Sequence, residues 1–155
     1  MPLTHLNERG EAHIVDIGDK PDTRRRAGAR ARLEARPETI AAILGGALEK
    51  GDALAVARVA GIMAAKKTAE LIPLCHPIAL TSVTVDIAAE GSALAVTATA
   101  ETTGRTGVEM EAMTAASVAA LTLYDMAKSI DRAMRIASVE LVEKTGGKHD
   151  WHRDS

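Results

Sequence analysis

The sequence of 155 residues contains no Phe, one Tyr (Tyr124) and one Trp (Trp151). A core must therefore be built from Ala, Val, Ile, Leu and Met, whose smaller side chains allow close approach but bury less area each. A chain of this composition gains further burial by association, so we expect a homo-oligomer. The sequence also lacks aromatic side chains on which the bases of a single strand could stack, which argues against single-stranded nucleic-acid binding.

Cysteine, net charge and long apolar runs are equally scarce. Cys75 is the only cysteine, which excludes an intrachain disulfide. The net charge of -2 argues against bulk nucleic-acid binding, which usually requires a basic face. The apolar runs are shorter than the roughly 20 residues that span a bilayer, and the first residues lack the apolar segment of a signal peptide. We expect a cytoplasmic protein with neither membrane nor nucleic-acid partners.

The pattern of apolar and turn-forming residues predicts a single domain over residues 1–155. A loose N-terminal arm (about 1–10) and a polar C-terminal tail (about 145–155) are expected to flank the elements. The predicted strands are 12–17, 27–35, 79–90, 92–103 and 136–143, and the predicted helices are 38–50, 53–71 and 106–129. Gly91 is expected in a hairpin turn and Asp52 as a helix N-cap. This order predicts an α+β fold, an antiparallel sheet covered by helices on one face.

The helix predicted over 106–129 organises the chain. It is apolar or small on nearly every side, which is typical of a buried helix. Four charged residues interrupt this pattern, and buried charges cost free energy unless they are paired or used. These are Glu109, Glu111, Asp125 and Lys128.

Asp125 and Lys128 are three residues apart, about 60° around a helix, and can face one point. A lysine beside a carboxylate in a mostly dry site can transfer protons once its pKa is tuned. The alternative is a helix salt bridge worth a few tenths of a kcal/mol. The apolar helix favours the catalytic interpretation.

Glu111 lies 14 residues before Asp125, on nearly the same helix face but about 21 Å away along the axis. One chain cannot bring both to one reacting atom. Two antiparallel copies of the helix could, because the midpoint falls at Val118 among small residues. We therefore hypothesise a site shared by two subunits related by a two-fold axis.

The segment 71–77 is a second candidate. Pro73 and Pro77 stiffen this loop, which favours ligand contact by His76 over a histidine with only structural partners. Cys75 and His76 are sequence neighbours and are not expected to form a nucleophile–base pair. The sequence shows no set of ligands with zinc spacing, so we predict no metal site.

Two basic or glycine-rich motifs leave alternatives open. The run 24–26, three arginines, is either a solvated edge or an anion contact, and charge runs usually face water. The motif from Gly104 to Gly107 could bind phosphate or resemble an RNA-clamping loop. Because Glu109 and Glu111 follow directly and would repel phosphate, a simple turn into the helix is favoured.

Six motifs resemble the cyclic pyranopterin monophosphate synthases of molybdenum cofactor biosynthesis (the molybdenum cofactor protein C family). The likeness runs from about Thr4 to Lys148. The motifs are Thr4-His-Leu-Asn7, Glu11-Ala-His-Ile-Val-Asp16, Lys50-Gly-Asp52, Leu71-Ile-Pro-Leu-Cys-His-Pro77, Thr106-Gly-Val-Glu-Met-Glu111 and Leu123-Tyr-Asp-Met-Ala-Lys128. The resemblance implies a ferredoxin-like subunit in a homohexamer, a trimer of dimers with sites between subunits.

The resemblance also implies the reaction. The substrate would be 3',8-cyclo-7,8-dihydroguanosine triphosphate, supplied by a radical enzyme of the same pathway. The products would be cyclic pyranopterin monophosphate and pyrophosphate, formed without a redox step and so without a redox cofactor. Departures from the family pattern, Ala127 for Cys and Met113 for Leu, remove no charged group.

Residue roles follow from the same likeness. Lys128 would transfer protons with Asp125 as its partner. The residues implied to contact substrate are Leu74, Cys75, His76, Met110, Glu111 and Lys50. Candidate cations for the triphosphate are Lys20, Arg25, Lys66, Lys67 and Lys144. A non-catalytic protein that binds GTP-like ligands is the alternative, and a KH-like RNA binder ranks third because of the charge and the glutamates.

Overall fold

A computed structural model of the chain describes residues 6–154. The predicted N-terminal arm falls partly on residues 1–5, and with it the motif residues Thr4 and His5, which lie outside the described residues. The strands are β1 (Thr23–Glu34), β2 (Ser82–Glu90), β3 (Ala93–Gly104), β4 (Arg135–Thr145) and β5 (Trp151–His152). The helices are α1 (Pro37–Gly45), α2 (Ala53–Lys66), α3 (Thr68–Leu71) and α4 (Glu109–Ala127).

The five strands form one antiparallel sheet in the order β2-β3-β1-β4-β5. One face of β1 consists of fully buried small or apolar side chains, which pair with similar residues of β3, as in Ala29 opposite Ala98 and Leu33 opposite Leu94. The other face carries Arg–Glu pairs, such as Arg26 with Glu101. The alternation of period two thus separates a helix-covered face from a polar face. The predicted α+β fold with a ferredoxin-like sheet is confirmed.

The core of the fold is α4, which packs on β1 and β3 and against α2. Its alanines at 112, 115, 116, 119 and 120 are all fully buried. They let α2 approach closely, because a Cβ on Gly61 would lie only 3.0 Å from the carbonyl oxygen of Ala115. The helix is shorter at both ends than predicted. Among residues 6–154, none of the helices has the length and apolarity that crossing a bilayer requires.

Two predicted helix ends were wrong. The helix expected to reach Lys50 ends at Gly45, because Gly46 adopts a left-handed conformation (φ 70°) that caps the preceding carbonyls. The helix expected to reach Leu71 breaks after Lys66, where the Thr68 hydroxyl bonds back to the carbonyl oxygen of Ala65 at 2.9 Å. The predicted N-cap is confirmed, since Asp52 Oδ1 accepts from the Ala55 N–H at 3.1 Å.

The strand predictions also needed correction. Residues 12–17 form no strand, and only an isolated bridge joins Leu6 to Ala12. β1 begins four residues earlier than predicted, so the three arginines lie within it. The tail predicted to be merely polar contains β5, which pairs with the end of β4. The predicted hairpin turn between β2 and β3 is confirmed, with Gly91 at φ 61°.

Candidate active site

A cleft of about 270 Å³ separates the loop before β2 from the start of α4. We call it the carboxyl cleft, after Glu111. Of the six residues predicted to contact substrate, it contains five: Leu74, Cys75, His76, Met110 and Glu111. Lys50 is the exception and lies at the opposite end of α4. The proline-containing loop 71–77 and the start of α4 therefore lie side by side, although the two motifs are about 30 residues apart in the sequence.

Glu111 is the chemically unusual group of the carboxyl cleft. Its side chain belongs to a residue only 2% exposed. Oε2 accepts from the Cys75 thiol at 3.6 Å, while Oε1 is buried without a hydrogen-bond partner among residues 6–154. Burial raises the pKa of Glu111 above its ordinary value. Burial, and next the Glu111 charge, raise the pKa of the Cys75 thiol to about 11. Cys75 is thus a protonated thiol that donates a hydrogen bond to the carboxylate rather than a reactive thiolate.

A hydrogen bond from His76 connects the N-terminal segment to this cleft. His76 Nε2 donates to the carbonyl oxygen of Val15 at 2.6 Å. The structure therefore gives His76 a structural partner and leaves contact between His76 and substrate a prediction.

A second cleft, of about 480 Å³, adjoins the first and shares Thr106, Gly107 and Glu109 with it. We call it the basic cleft. Its cationic and potentially cationic side chains are Lys20, Arg25, Lys144, Lys148 and His149. Such a concentration of positive charge beside a buried carboxyl favours an anionic ligand that spans both clefts.

The structure divides the three arginines of the run 24–26 between the two predicted alternatives. Arg24 and Arg26 lie on the polar face of the sheet and pair with Glu101. Arg25 points the other way and is 8% exposed, and its Nε donates to the Gly104 carbonyl at 2.9 Å. The alternation of a strand thus divides the run between a solvated edge and a cleft wall. Lys144 bonds Glu109 Oε1 at 2.8 Å across the same cleft.

Three of the five predicted phosphate-binding cations line the basic cleft, namely Lys20, Arg25 and Lys144. Lys66 lies behind Glu111 in a pocket of about 140 Å³, and Lys67 is the C-cap of α2. The sequence interpretation did not include Lys148 among the phosphate-binding cations, and it gave His149 in the tail only as a weak candidate. The paired glycines before Lys148 are the signal that could have indicated a ligand-binding turn.

The predicted catalytic pair lies at the far end of α4. Asp125 accepts from Lys128 Nζ at 3.0 Å and from Lys50 Nζ at 3.1 Å. The lysines lower the pKa of Asp125, with Lys128 the larger cause. Lys50 reaches this point because α1 ends at Gly45, which leaves Lys50 in a turn closed by the Leu48–Gly51 bridge.

This end of the helix is open in the single chain. The side chains of Asp125 and Lys128 are 56% and 53% exposed, so the single chain does not form the mostly dry site that was predicted. An adjoining pocket of about 410 Å³ is lined by Tyr124, Lys128, Ser129 and Arg132. Fourteen residues of helix, about 21 Å, separate this group from Glu111.

The fold and these two groups define an α+β protein with a cleft rich in cationic side chains and a carboxylate held between two lysines. The model of the MoaC family matches residues 14–147. The chain is 57% identical over 155 residues to a cyclic pyranopterin monophosphate synthase of Thermomicrobium roseum, covering 98% of this chain and 93% of the relative. The synthase of the same name from Herpetosiphon aurantiacus is 58% identical over 147 residues, 94% and 90% of the two chains.

A third relative, from Brevibacillus brevis and of the same name, is 55% identical over 153 residues, 97% of this chain and 96% of its own. The chain therefore belongs to the MoaC family, as its motifs predicted. The likeness also confirms the predictions of an enzyme and of a role in molybdenum cofactor biosynthesis.

Proposed function

We propose that this chain converts 3',8-cyclo-7,8-dihydroguanosine triphosphate into cyclic pyranopterin monophosphate and pyrophosphate. The family relationship supports the reaction, and the observation that carries its assignment to these residues is the Lys50–Asp125–Lys128 cluster. A carboxylate held between two ammonium groups can orient one lysine and stabilise its charged form while the other accepts or releases a proton. Lys128 is the proton-transferring group in this proposal.

The two clefts divide the substrate between them. The triphosphate binds the basic cleft, where Lys20, Arg25 and Lys144 neutralise its charge. The purine-derived rings bind the carboxyl cleft, beside Leu74 and Met110 and within reach of Glu111 and His76. A sugar hydroxyl then gives its proton to a general base and attacks the innermost phosphorus, which forms the cyclic phosphate. The bond to the outer two phosphates breaks, and pyrophosphate leaves.

Both ends of α4 can serve one substrate only if two chains share each site. The length of the helix supports a shared site, since about 21 Å separates Glu111 from Asp125. Exposed apolar side chains support association: Val56, Val59 and Met63 form one patch on α2, and Leu121 projects from α4 with 56% exposure. We therefore include the homohexamer, a trimer of dimers, in the proposal. The single-domain organisation, the cytoplasmic location and a radical enzyme as the source of substrate rest on the sequence and the family resemblance alone.

Turnover of the cyclised GTP intermediate tests the proposal. The purified protein is expected to release pyrophosphate and the pterin product, and Lys128→Ala to lose about 10²- to 10⁴-fold in rate, the usual contribution of a general acid or base. Arg135→Ala, which removes a positive charge from an exposed pair with Glu34, is the matched control and should keep the parent rate. Binding without product, by a folded parent protein, would instead indicate the non-catalytic ligand-binding function.

A further inference from the structure

The loop between β4 and β5, residues 146–150, is fixed at its first residue from two directions. The Thr23 hydroxyl donates to the Gly146 carbonyl at 2.7 Å, and the Gly146 N–H donates to Asp150 Oδ1 at 3.1 Å. Gly146 has φ 93°, and a Cβ there would overlap the carbonyl oxygen of Arg24. Only glycine permits this contact, so the loop lies directly against the start of β1.

The residues after the loop return to the sheet. Trp151 and His152 pair with Lys144 and Glu143 of β4. The Arg153 N–H then donates to the Val142 carbonyl at 2.8 Å, and its Nε to the Leu141 carbonyl at 2.7 Å. The Arg153 guanidinium also lies 5.3 Å from the ring centre of Trp151. We call residues 150–153 the C-terminal clasp.

The cationic residues of the loop lie between Gly146 and the clasp. Gly147 lies against Arg25, since a Cβ there would be 3.1 Å from the guanidinium nitrogen Nη1. Lys148 and His149 follow and line the basic cleft together with Lys20. These loop residues are exposed or half-buried, so hydrogen bonds rather than core packing hold them in place.

We propose that the C-terminal clasp holds the 146–149 loop in its anion-binding conformation, and that Asp150 is a positioning residue for the phosphate groups despite its own negative charge. A loop ordered before binding does not lose that conformational freedom when the ligand arrives, which increases affinity. This inference rests on the proposed function in one respect, that the anion is the phosphate portion of the substrate or the released pyrophosphate.

A purely electrostatic role and a positioning role of Asp150 predict opposite effects of Asp150→Ala on anion binding. Removing a negative charge beside a basic cleft should strengthen anion binding if only electrostatics acted. If Asp150 holds the loop, the same change should weaken pyrophosphate binding by about three- to tenfold, the cost of ordering a loop upon binding. Asp150→Asn loses the charge but keeps the Oδ1 acceptor, and is expected to bind at least as tightly as the parent.

The experiment is calorimetric titration with pyrophosphate at constant ionic strength, on the full-length protein and the two variants. Asp154→Ala removes the same charge beyond β5 and is the matched control, expected to bind at least as tightly as the parent. Thermal unfolding confirms that each variant is folded. Equal or tighter binding by Asp150→Ala would overturn the inference, as would a parent that does not bind pyrophosphate.

Turnover separates this inference from the proposed function. With the cyclised GTP intermediate, Asp150→Ala should raise KM while kcat stays near the parent value, because the loop binds and does not transfer protons. A fall in kcat at unchanged KM would contradict a positioning role. If the parent shows no turnover but the pyrophosphate titrations behave as expected, the proposed reaction fails and the clasp-dependent anion site remains.

Discussion

The two ends of α4 carry carboxyl groups in opposite environments. Glu111, at the N-terminal end, is buried, has one oxygen without a partner in the described part of the chain, and has a raised pKa. Asp125, at the C-terminal end, is exposed, is paired with two lysines and has a lowered pKa. Two carboxyl groups on one helix therefore have pKa values that are shifted in opposite directions.

This contrast in pKa values favours separate roles for Glu111 and Asp125 in the proposed reaction. Groups whose pKa values are pushed apart are suited to separate acid and base roles. In the proposed reaction, Glu111 with its raised pKa is the candidate acid, and Asp125 with its lowered pKa is the candidate partner of the two lysines. The distance along α4 means that the two environments meet only when a second chain is present.

Mixing two defective variants is the strongest test of this comparison. Glu111→Ala and Lys128→Ala are each expected to lose most activity alone. The equimolar mixture should regain about a quarter of the parent activity, because half of the randomly formed dimers are mixed and one of their two shared sites is intact. The measurement is turnover after the subunits have exchanged, with exchange verified by mass-labelled chains.

A second mixture provides the control for this rescue. Lys128→Ala mixed with Asp125→Ala damages the same end of α4 in both chains, so each site in a mixed dimer carries one defect and activity should not return. Rescue by this pair, or no rescue by the first pair after confirmed exchange, would contradict a site shared between the two ends of the helix.

Much of this helix could be predicted from the sequence. Its apolar and small residues recur on all sides, which indicates burial, and the spacing of Glu111 and Asp125 sets their distance along the axis. The Asp52 cap and the hairpin turn at Gly91 were also predictable, because each depends on a local side-chain or backbone preference.

Contacts between distant segments could not be predicted in this way. The strand β5 forms because residues 151–152 meet the end of β4, and its own sequence has no strand alternation. The exposure of Asp125 was missed because a helix that is apolar overall can still expose one position near its end. Gly46 and Gly51 both have positive φ, and α1 ends before the first of them. The sequence alone did not show that Gly46 rather than Gly51 would end the helix.

Asp131 extends the comparison between carboxyl groups. It is buried like Glu111, but its carboxylate accepts hydrogen bonds from three donors. Its carboxylate accepts from the Arg36 N–H at 3.1 Å, the Thr39 hydroxyl at 3.0 Å and the Ala133 N–H at 3.2 Å. We expect Asp131→Ala to reduce the free energy of unfolding by about 1–3 kcal/mol, because it leaves the buried Thr39 hydroxyl and two partly buried N–H groups without this acceptor. Urea denaturation at fixed protein concentration measures this.

The pH dependence should carry the sign of a lowered pKa. The Arg36 N–H is the largest cause of the lowered pKa of Asp131. The stabilisation by Asp131 is therefore complete above its unfolded pKa of about 3.9 and is lost as the pH falls through the lower folded value. A difference between parent and Asp131→Ala that stays constant down to the lowest pH at which the protein folds would contradict this account.

The smallest expected effect concerns the thiol beside Glu111. Cys75 is the only cysteine, so its alkylation by iodoacetamide can be followed without ambiguity. Glu111→Gln removes the second-largest cause of the raised thiol pKa, which is about 11, while burial, the largest cause, remains. The thiol pKa should fall part of the way to its ordinary value, and alkylation at pH 8 should accelerate by about two- to tenfold as more thiolate forms.

Glu109→Gln is the matched control for this measurement, because the Glu109 charge is the smallest cause of the raised Cys75 pKa and that glutamate already pairs with Lys144. Its effect on the alkylation rate should be clearly smaller than that of Glu111→Gln. Equal rates in the parent and Glu111→Gln would mean that burial alone raises the thiol pKa. The ionisation of Cys75 would then not be coupled to the charge of Glu111.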